Sequence, residues 1–106
     1  VHGNSDPAEI RKTLPYVETF RVGTFDFGVI HPAWGGPEFD PQELLKDFVK
    51  KPNIILFGHT HEPLDKTIGN VRYINPGQGY KSFMVPCTIA RITVDNSKIS
   101  VKIMYF

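Results

Sequence analysis

The residues that most constrain this chain are Asn53-Ile54-Ile55-Leu56-Phe57-Gly58-His59-Thr60-His61, an apolar run that passes through one glycine into a pair of histidines, with Glu62-Pro63 beyond. The run reads as a buried strand, so a sheet must form around it and must deliver both imidazoles at one strand end. Histidine is the commonest metal-binding side chain near neutral pH, and two of them separated by one residue at a strand-to-loop junction can point toward neighbouring ions. Spacing alone fixes no geometry, so the weight of the pattern rests on what other donors the chain supplies.

Those donors begin at the first residues. Val1-His2-Gly3-Asn4-Ser5-Asp6-Pro7 reads as the end of a strand turning through Gly3 into a helix, with Asn4 in the turn. Asp6 is a good N-cap, Pro7 suits the first helical position, and Glu9 completes a capping-box-like start for Ala8 to Lys12. Capping accounts for Asp6 and leaves Asn4 as a neutral oxygen donor at the mouth of a strand. His31 closes the alternating run Thr24 to Ile30, and Pro32 stops that strand. Taken singly, His31 has a plainer account as a satisfied strand-end histidine. Ligands in open α/β sheets gather outside the carboxyl ends of strands, and Asn4, His31, His59 and His61 share that location. Strand alternation and Gly3 turn His2 away from it.

The rest of the chain supplies the frame. Tyr16 to Val22 and Thr24 to Ile30 form a hairpin by pattern, and Asp40-Pro41-Gln42-Glu43 opens a helix with Leu44, Leu45, Phe48 and Val49 on one face. Lys50 and Lys51 suit its C-terminal end and Pro52 stops it. Leu64 to Ile68 and Val71 to Ile74 flank a tight turn at Gly69-Asn70, and Thr88 to Val94 pairs with Ile99 to Tyr105 across Asp95-Asn96-Ser97. This length supports one domain at most, with a modest core.

Charge restricts the partners: twelve Lys and Arg against eleven Asp and Glu give a net charge of +1, with no nucleic-acid or acidic-membrane footprint. No apolar run is long enough to cross a bilayer, and no basic segment precedes an apolar one in the manner of a signal peptide. The single Cys87 has no partner for an intramolecular disulfide and is expected to pack in a strand. It fits a reducing compartment, so a cytoplasmic location is the default expectation. Self-association as a homo-oligomer is left open.

Gly3-Asn4-Ser5-Asp6, strand-terminal His31, Gly58-His59-Thr60-His61 and Ile74-Asn75-Pro76-Gly77, in that order and spacing, resemble the calcineurin-like metallophosphoesterases, and most of all their small single-domain phosphodiesterase branch. The resemblance implies an α/β fold, a four-layer α/β/β/α sandwich of two facing sheets with helices outside. The family's opening strand with Asp-x-His and its Gly-Asp unit are not among these residues, so the resemblance implies that 1–106 is the C-terminal part of a single such domain. Alone, it is expected to leave sheet edges and apolar faces uncovered. The implied chemistry is hydrolysis of a small phosphodiester or other phosphate ester by a hydroxide that two bridging divalent ions generate. Carried over residue by residue, Asn4, His31 and His59 resemble ligands of one ion and His61 a ligand of the other. The bridging carboxylate lies in the segment not present, so this chain is expected to hold at most one ion. Mixed imidazole, amide and carboxylate donors suit manganese, nickel, iron, cobalt or zinc better than calcium. Asp6, Gly58, Thr60, Asn75 and Gly77 are candidates for supporting the ligands or for contacting the phosphate.

Two departures from the family's pattern bear on mechanism. Ser5 stands where many members carry a histidine that helps protonate the leaving group, which points to a diesterase with easily expelled leaving groups. Pro32 stands where glycine is usual and stiffens the loop after His31. Trp34-Gly35-Gly36-Pro37 reads either as a substrate-side loop with Trp34 stacking on a base or as a packed aromatic in a turn-rich connection. The loop Asn75 to Gly79 either offers backbone amides to a phosphate or only joins strands, and Lys81 is either its cation or a solvated lysine. Two rival readings remain beside the enzyme: a non-catalytic protein-binding scaffold of the same fold, and a mononuclear metal-binding fragment.

Overall fold

The structure, a computed structural model, describes residues 1–33 and 39–106. The chain runs α1 (Ala8–Thr13), β1 (Val17–Val22), β2 (Phe25–Ile30), a 3-10 helix (Pro41–Asp47), β3 (Ile54–Phe57), β4 (Leu64–Ile68), β5 (Val71–Asn75), β6 (Thr88–Asp95) and β7 (Lys98–Tyr105). A five-stranded sheet has the order β1-β2-β3-β5-β4, and β6 with β7 forms a second, two-stranded sheet. In the larger sheet β2, β3 and β5 are parallel, with Ile30 opposite Phe57 and Leu56 opposite Ile74. The edge strands β1 and β4 pair antiparallel with their hairpin mates. The apolar run Ile54 to Phe57 is therefore the central strand, and a centre strand needs apolar side chains on both sides.

Each side of that strand has its own core. Ile55 and Phe57 pack with Ile30, Val71 and Tyr73 under Leu44 and Phe48, which the 3-10 segment and the residue after it lay across the sheet. Ile54 packs with Phe27 and Ile74 on the other side, covered by Ala90, Ile92 and Val94 of β6 and Ile99 and Val101 of β7. Strict alternation in β6 and β7 puts these residues inward and Arg91, Thr93, Ser100 and Lys102 outward. The result is an α/β arrangement of two facing sheets. Its consequence for function is that the carboxyl ends of β2, β3 and β5 lie side by side on one rim.

Several local expectations are corrected. The helix expected from Asp40 to Lys51 is a 3-10 helix that ends at Asp47; Asp40 caps it by accepting from Gln42 N at 3.0 Å. Phe48 leaves the helix because its ring seats on Gly28, where an added Cβ would stand 2.5 Å from a ring carbon. Val49 is consequently fully exposed instead of joining the apolar face, and Lys50 Nζ lies 3.7 Å from Asp26 Oδ2 instead of at a helix end. Asp6 does not cap α1. Pro7 is the N-cap and makes no side-chain bond, while the Asp6 carboxylate accepts from Gly3 N. No strand forms at the first residues, where His2 N donates to Pro15 O at 3.1 Å. Cys87 precedes β6 in a single bridge with Gln78, and its carbonyl accepts from Phe106 N. The loop reading of Trp34 to Pro37 lies outside the described residues.

Apolar surface is left open: Ile10 of α1 and its C-cap Leu14, Phe20 and Val22 of β1, and Tyr80, Phe83, Met84, Tyr105 and Phe106 are all exposed. Among the described residues no helix is long and apolar enough to cross a membrane.

Candidate metal centre

The rim gathers donors from distant parts of the chain. His31 follows β2, and its Nε2 lies 2.9 Å from Asn4 Oδ1. His59 follows β3, and its Nδ1 lies 3.4 Å from the same oxygen. The two imidazoles meet edge to face with centroids 5.7 Å apart. An amide oxygen carries two lone pairs, so Asn4 can accept from both rings. Asn4 is itself tethered, since the Arg11 guanidinium of α1 donates to its backbone carbonyl, and the turn beneath it is closed by the Asp6 bonds to Gly3.

The backbone is shaped to admit the His31 ring. A Cβ at Gly3 would stand 3.2 Å from His31 Cδ2, and one at Gly58 would stand 3.0 Å from His31 Nδ1. Two glycines thus leave the room the imidazole occupies, and a side chain at either would displace it. Burial, and then the neighbouring His59, hold the His31 imidazolium pKa below its ordinary value; the Asp6 carboxylate opposes this and His61 adds to it. The favoured neutral ring is the form that binds cations.

His59 and His61 have left-handed backbones, at φ 81° and 63°. Such conformations in residues other than glycine cost about 1–3 kcal/mol each and cluster at functional sites. Between them Thr60 Oγ1 accepts from Asn75 Nδ2 at 2.9 Å and from Glu62 N at 3.3 Å. Asn75, the fully buried last residue of β5, also lies 3.5 Å from Gly58 O and accepts from Gly77 N at 2.9 Å. The Gly77 amide is therefore committed inward and does not stand free for a phosphate.

His61 is exposed and lines a cleft of about 310 Å³ with Val1, Gly3, Asn4, Ser5, Asp6 and His31. A larger cleft of about 500 Å³, between β1 and residues 47–52, contains no histidine and lies away from this rim; cleft size here does not mark the chemistry. His2 packs against Tyr16, and Lys81 is exposed. Among the described residues no group of three His, Cys, Asp or Glu side chains could hold a metal ion by itself. The donor set fits a divalent ion only if the amide of Asn4 counts with His31 and His59. The packed imidazole cradle, the neutral ring favoured at His31 and the shared oxygen meet that condition. Sequence reasoning named these residues, with Gly58, Thr60, Asn75 and Gly77 beside them as candidate supports or phosphate contacts; it missed Arg11 and did not foresee that Asn75 bonds to Thr60 and Gly77.

Residues 1–97 match the calcineurin-like phosphoesterase superfamily domain. Among solved structures, the chain is similar to a Thermotoga maritima protein determined by solution NMR, at a TM-score of 0.72 and 34% identity, covering 100% of this chain and 64% of that one. It is similar to Entamoeba histolytica Vps29 in complex with zinc, at a TM-score of 0.68 and 21% identity, covering 89% of this chain and 61% of that one. An archaeal phosphodiesterase gives a TM-score of 0.56 and 18% identity, with 91% of this chain and 56% of that one covered. The last two likenesses speak for fold alone. No curated protein matches. The chain spans 64% of the length of the Thermotoga protein and less of the other two.

Proposed function

This chain belongs to the calcineurin-like phosphoesterase superfamily, and from that premise we propose that its rim is half of a dinuclear site for phosphodiester hydrolysis. The observation that carries this reading is the convergence of His31 Nε2 and His59 Nδ1 on Asn4 Oδ1, within 2.9 and 3.4 Å. Asn4, His31 and His59 would hold one divalent ion and His61 would contribute to a second. Manganese, nickel, iron, cobalt and zinc suit these donors. Bound ions would supply charge stabilisation to the phosphate and acidify water.

The chain's own residues do the remaining work. The glycines at 3 and 58 fix the His31 ring, and Arg11 fixes the turn that presents Asn4. The cleft beside Ser5 and His61 leaves room for a small phosphate ester. The neutral state favoured at His31 spares the site a proton release when a cation binds.

The test has two arms. Metal analysis and calorimetry with manganese or zinc should find one ion per molecule of this chain, lost in His59→Ala. Bis(p-nitrophenyl) phosphate should be hydrolysed slowly or not at all by this chain, and at enzymatic rates by a domain of the relatives' full length. A full-length domain that binds ions and turns over no ester would favour the protein-binding scaffold, a reading to which the exposed Tyr80, Phe83, Met84 and Phe106 lend weight. Absence of ion binding in both would end the metal reading.

A further inference from the structure

We propose that Asn75 is a positioning residue, which clamps Gly58 to Glu62 in the left-handed path that presents His59 and His61 and thereby sets ion affinity without touching the ion. The inference rests on the metal-centre reading above.

Three observations carry it. Asn75 is fully buried yet polar, and a buried amide is retained only where its donors and acceptor are used. Its Nδ2 donates to Thr60 Oγ1 at 2.9 Å, with Gly58 O farther off at 3.5 Å, and its Oδ1 accepts from Gly77 N at 2.9 Å. One side chain thus joins the loop after β3 to the loop after β5. The residue it grips, Thr60, lies between the two histidines with positive φ, and its hydroxyl also accepts from Glu62 N. Backbone strain of this kind persists only where surrounding contacts over-determine it. Among the described hydrogen bonds, the other tie on this segment is His59 to Asn4, which is part of the candidate centre itself and would be exchanged for ligation.

The chemistry of the position is specific. Aspartate offers acceptors only, so it would turn a buried charge toward the Gly58 carbonyl. Leucine has similar bulk but would leave Gly77 N and Thr60 without their partner. Supporting partners of metal ligands typically contribute 10–100-fold in affinity when removed.

The experiment compares Asn75→Leu, Thr60→Val and Thr60→Ser with the unsubstituted chain by two readouts. One is amide hydrogen exchange at Glu62 and Gly77 without metal, and the other is calorimetric titration with cobalt. Thr60→Val should bind cobalt about 10–100-fold more weakly, with faster exchange at Glu62 and a lower melting temperature, since the buried Asn75 Nδ2 loses its acceptor. Thr60→Ser, which keeps the hydroxyl, should restore both values. Asn75→Leu should speed exchange at Gly77 and weaken cobalt to a similar degree. Wild-type affinity and exchange in Thr60→Val would overturn the proposal. If Asn75→Leu does not fold, the valine and serine pair at Thr60 decides alone. If no form binds cobalt, the metal reading fails, and exchange at Glu62 in Asn75→Leu, which keeps the Thr60 hydroxyl that Glu62 N donates to, still decides whether the clamp exists.

Discussion

Between Ile54 and His61 the chain crosses from one kind of region to another. Ile54 and Ile55 are buried on opposite faces of the central strand, where residue type, backbone conformation and packing all agree. A few residues later, His59 and His61 hold left-handed backbones, and His61 stands in solvent. The interior follows from β-propensity and alternation; the rim follows from neither and is held by a buried amide, two glycines and a tethered turn. The contrast teaches that the interior is built for stability and the rim for presentation, since local rules are broken where function requires it. Substitutions in the two regions should therefore move different observables.

The largest expected effect is in the interior. Ile55 is fully buried, and Ile55→Ala should lower stability by about 2–5 kcal/mol in urea denaturation, because transfer and cavity terms add. A loss under 1 kcal/mol would mean that this core is loosely packed and the comparison is false. The same truncation on the rim should behave oppositely. His59→Ala should leave stability within about 0.5 kcal/mol while cobalt affinity falls by more than the ~100-fold expected for a supporting residue. Unfolding of this variant would place His59 in the core instead.

Smaller effects sharpen the contrast. Tyr73 is the interior's own exception: its hydroxyl is buried without a partner among the described residues, and burial, aided by Asp40, raises its pKa. Tyr73→Phe removes that oxygen without a cavity and should stabilise the chain by about 1 kcal/mol, read from the urea midpoint. A loss of similar size would reveal a partner for the hydroxyl. On the rim, His61→Gly should stabilise by about 0.5–1 kcal/mol, because glycine adopts positive φ without the Cβ penalty, offset in part by its looser unfolded state. Destabilisation would show that φ 63° is not a strained state there.

The same division explains what could be read from residues alone. Strands were legible because period-two alternation in β6 and β7 and the apolar run of β3 report burial directly, and the rim residues were legible because His31 and His59 end strands. The helix after Asp40 was misjudged because its apolar spacing suits an α-helix, whereas the Phe48 ring finds its seat on Gly28, a contact no local pattern encodes. Asp6 offered an N-cap but was claimed by Gly3 N, a competition settled by the turn that holds Asn4. Asn75 was legible as a candidate support, but its bonds were not, for a related reason: its partners Thr60 and Gly58 come from a neighbouring strand end, and only the parallel register brings them together.

The smallest effect concerns Ser5, which lines the cleft beside His61 and is expected to matter only for how protons reach a departing group. Serine cannot donate a proton usefully near neutral pH, and the Asp6 carboxylate is engaged with Gly3 N. In a domain of the relatives' full length, hydrolysis should therefore favour aryl diesters with acidic leaving groups, and log rate should fall steeply as leaving-group pKa rises. Ser5→His would place an imidazole in the same cleft, able to protonate poorer leaving groups, so the slope should flatten while rates for the best leaving groups stay nearly constant. The assay is a series of aryl phosphodiesters run on both forms with manganese and with zinc. A shallow slope in the unsubstituted protein would assign proton donation to another group in the cleft, with His61 the first to test, and would remove Ser5 from any account of substrate preference.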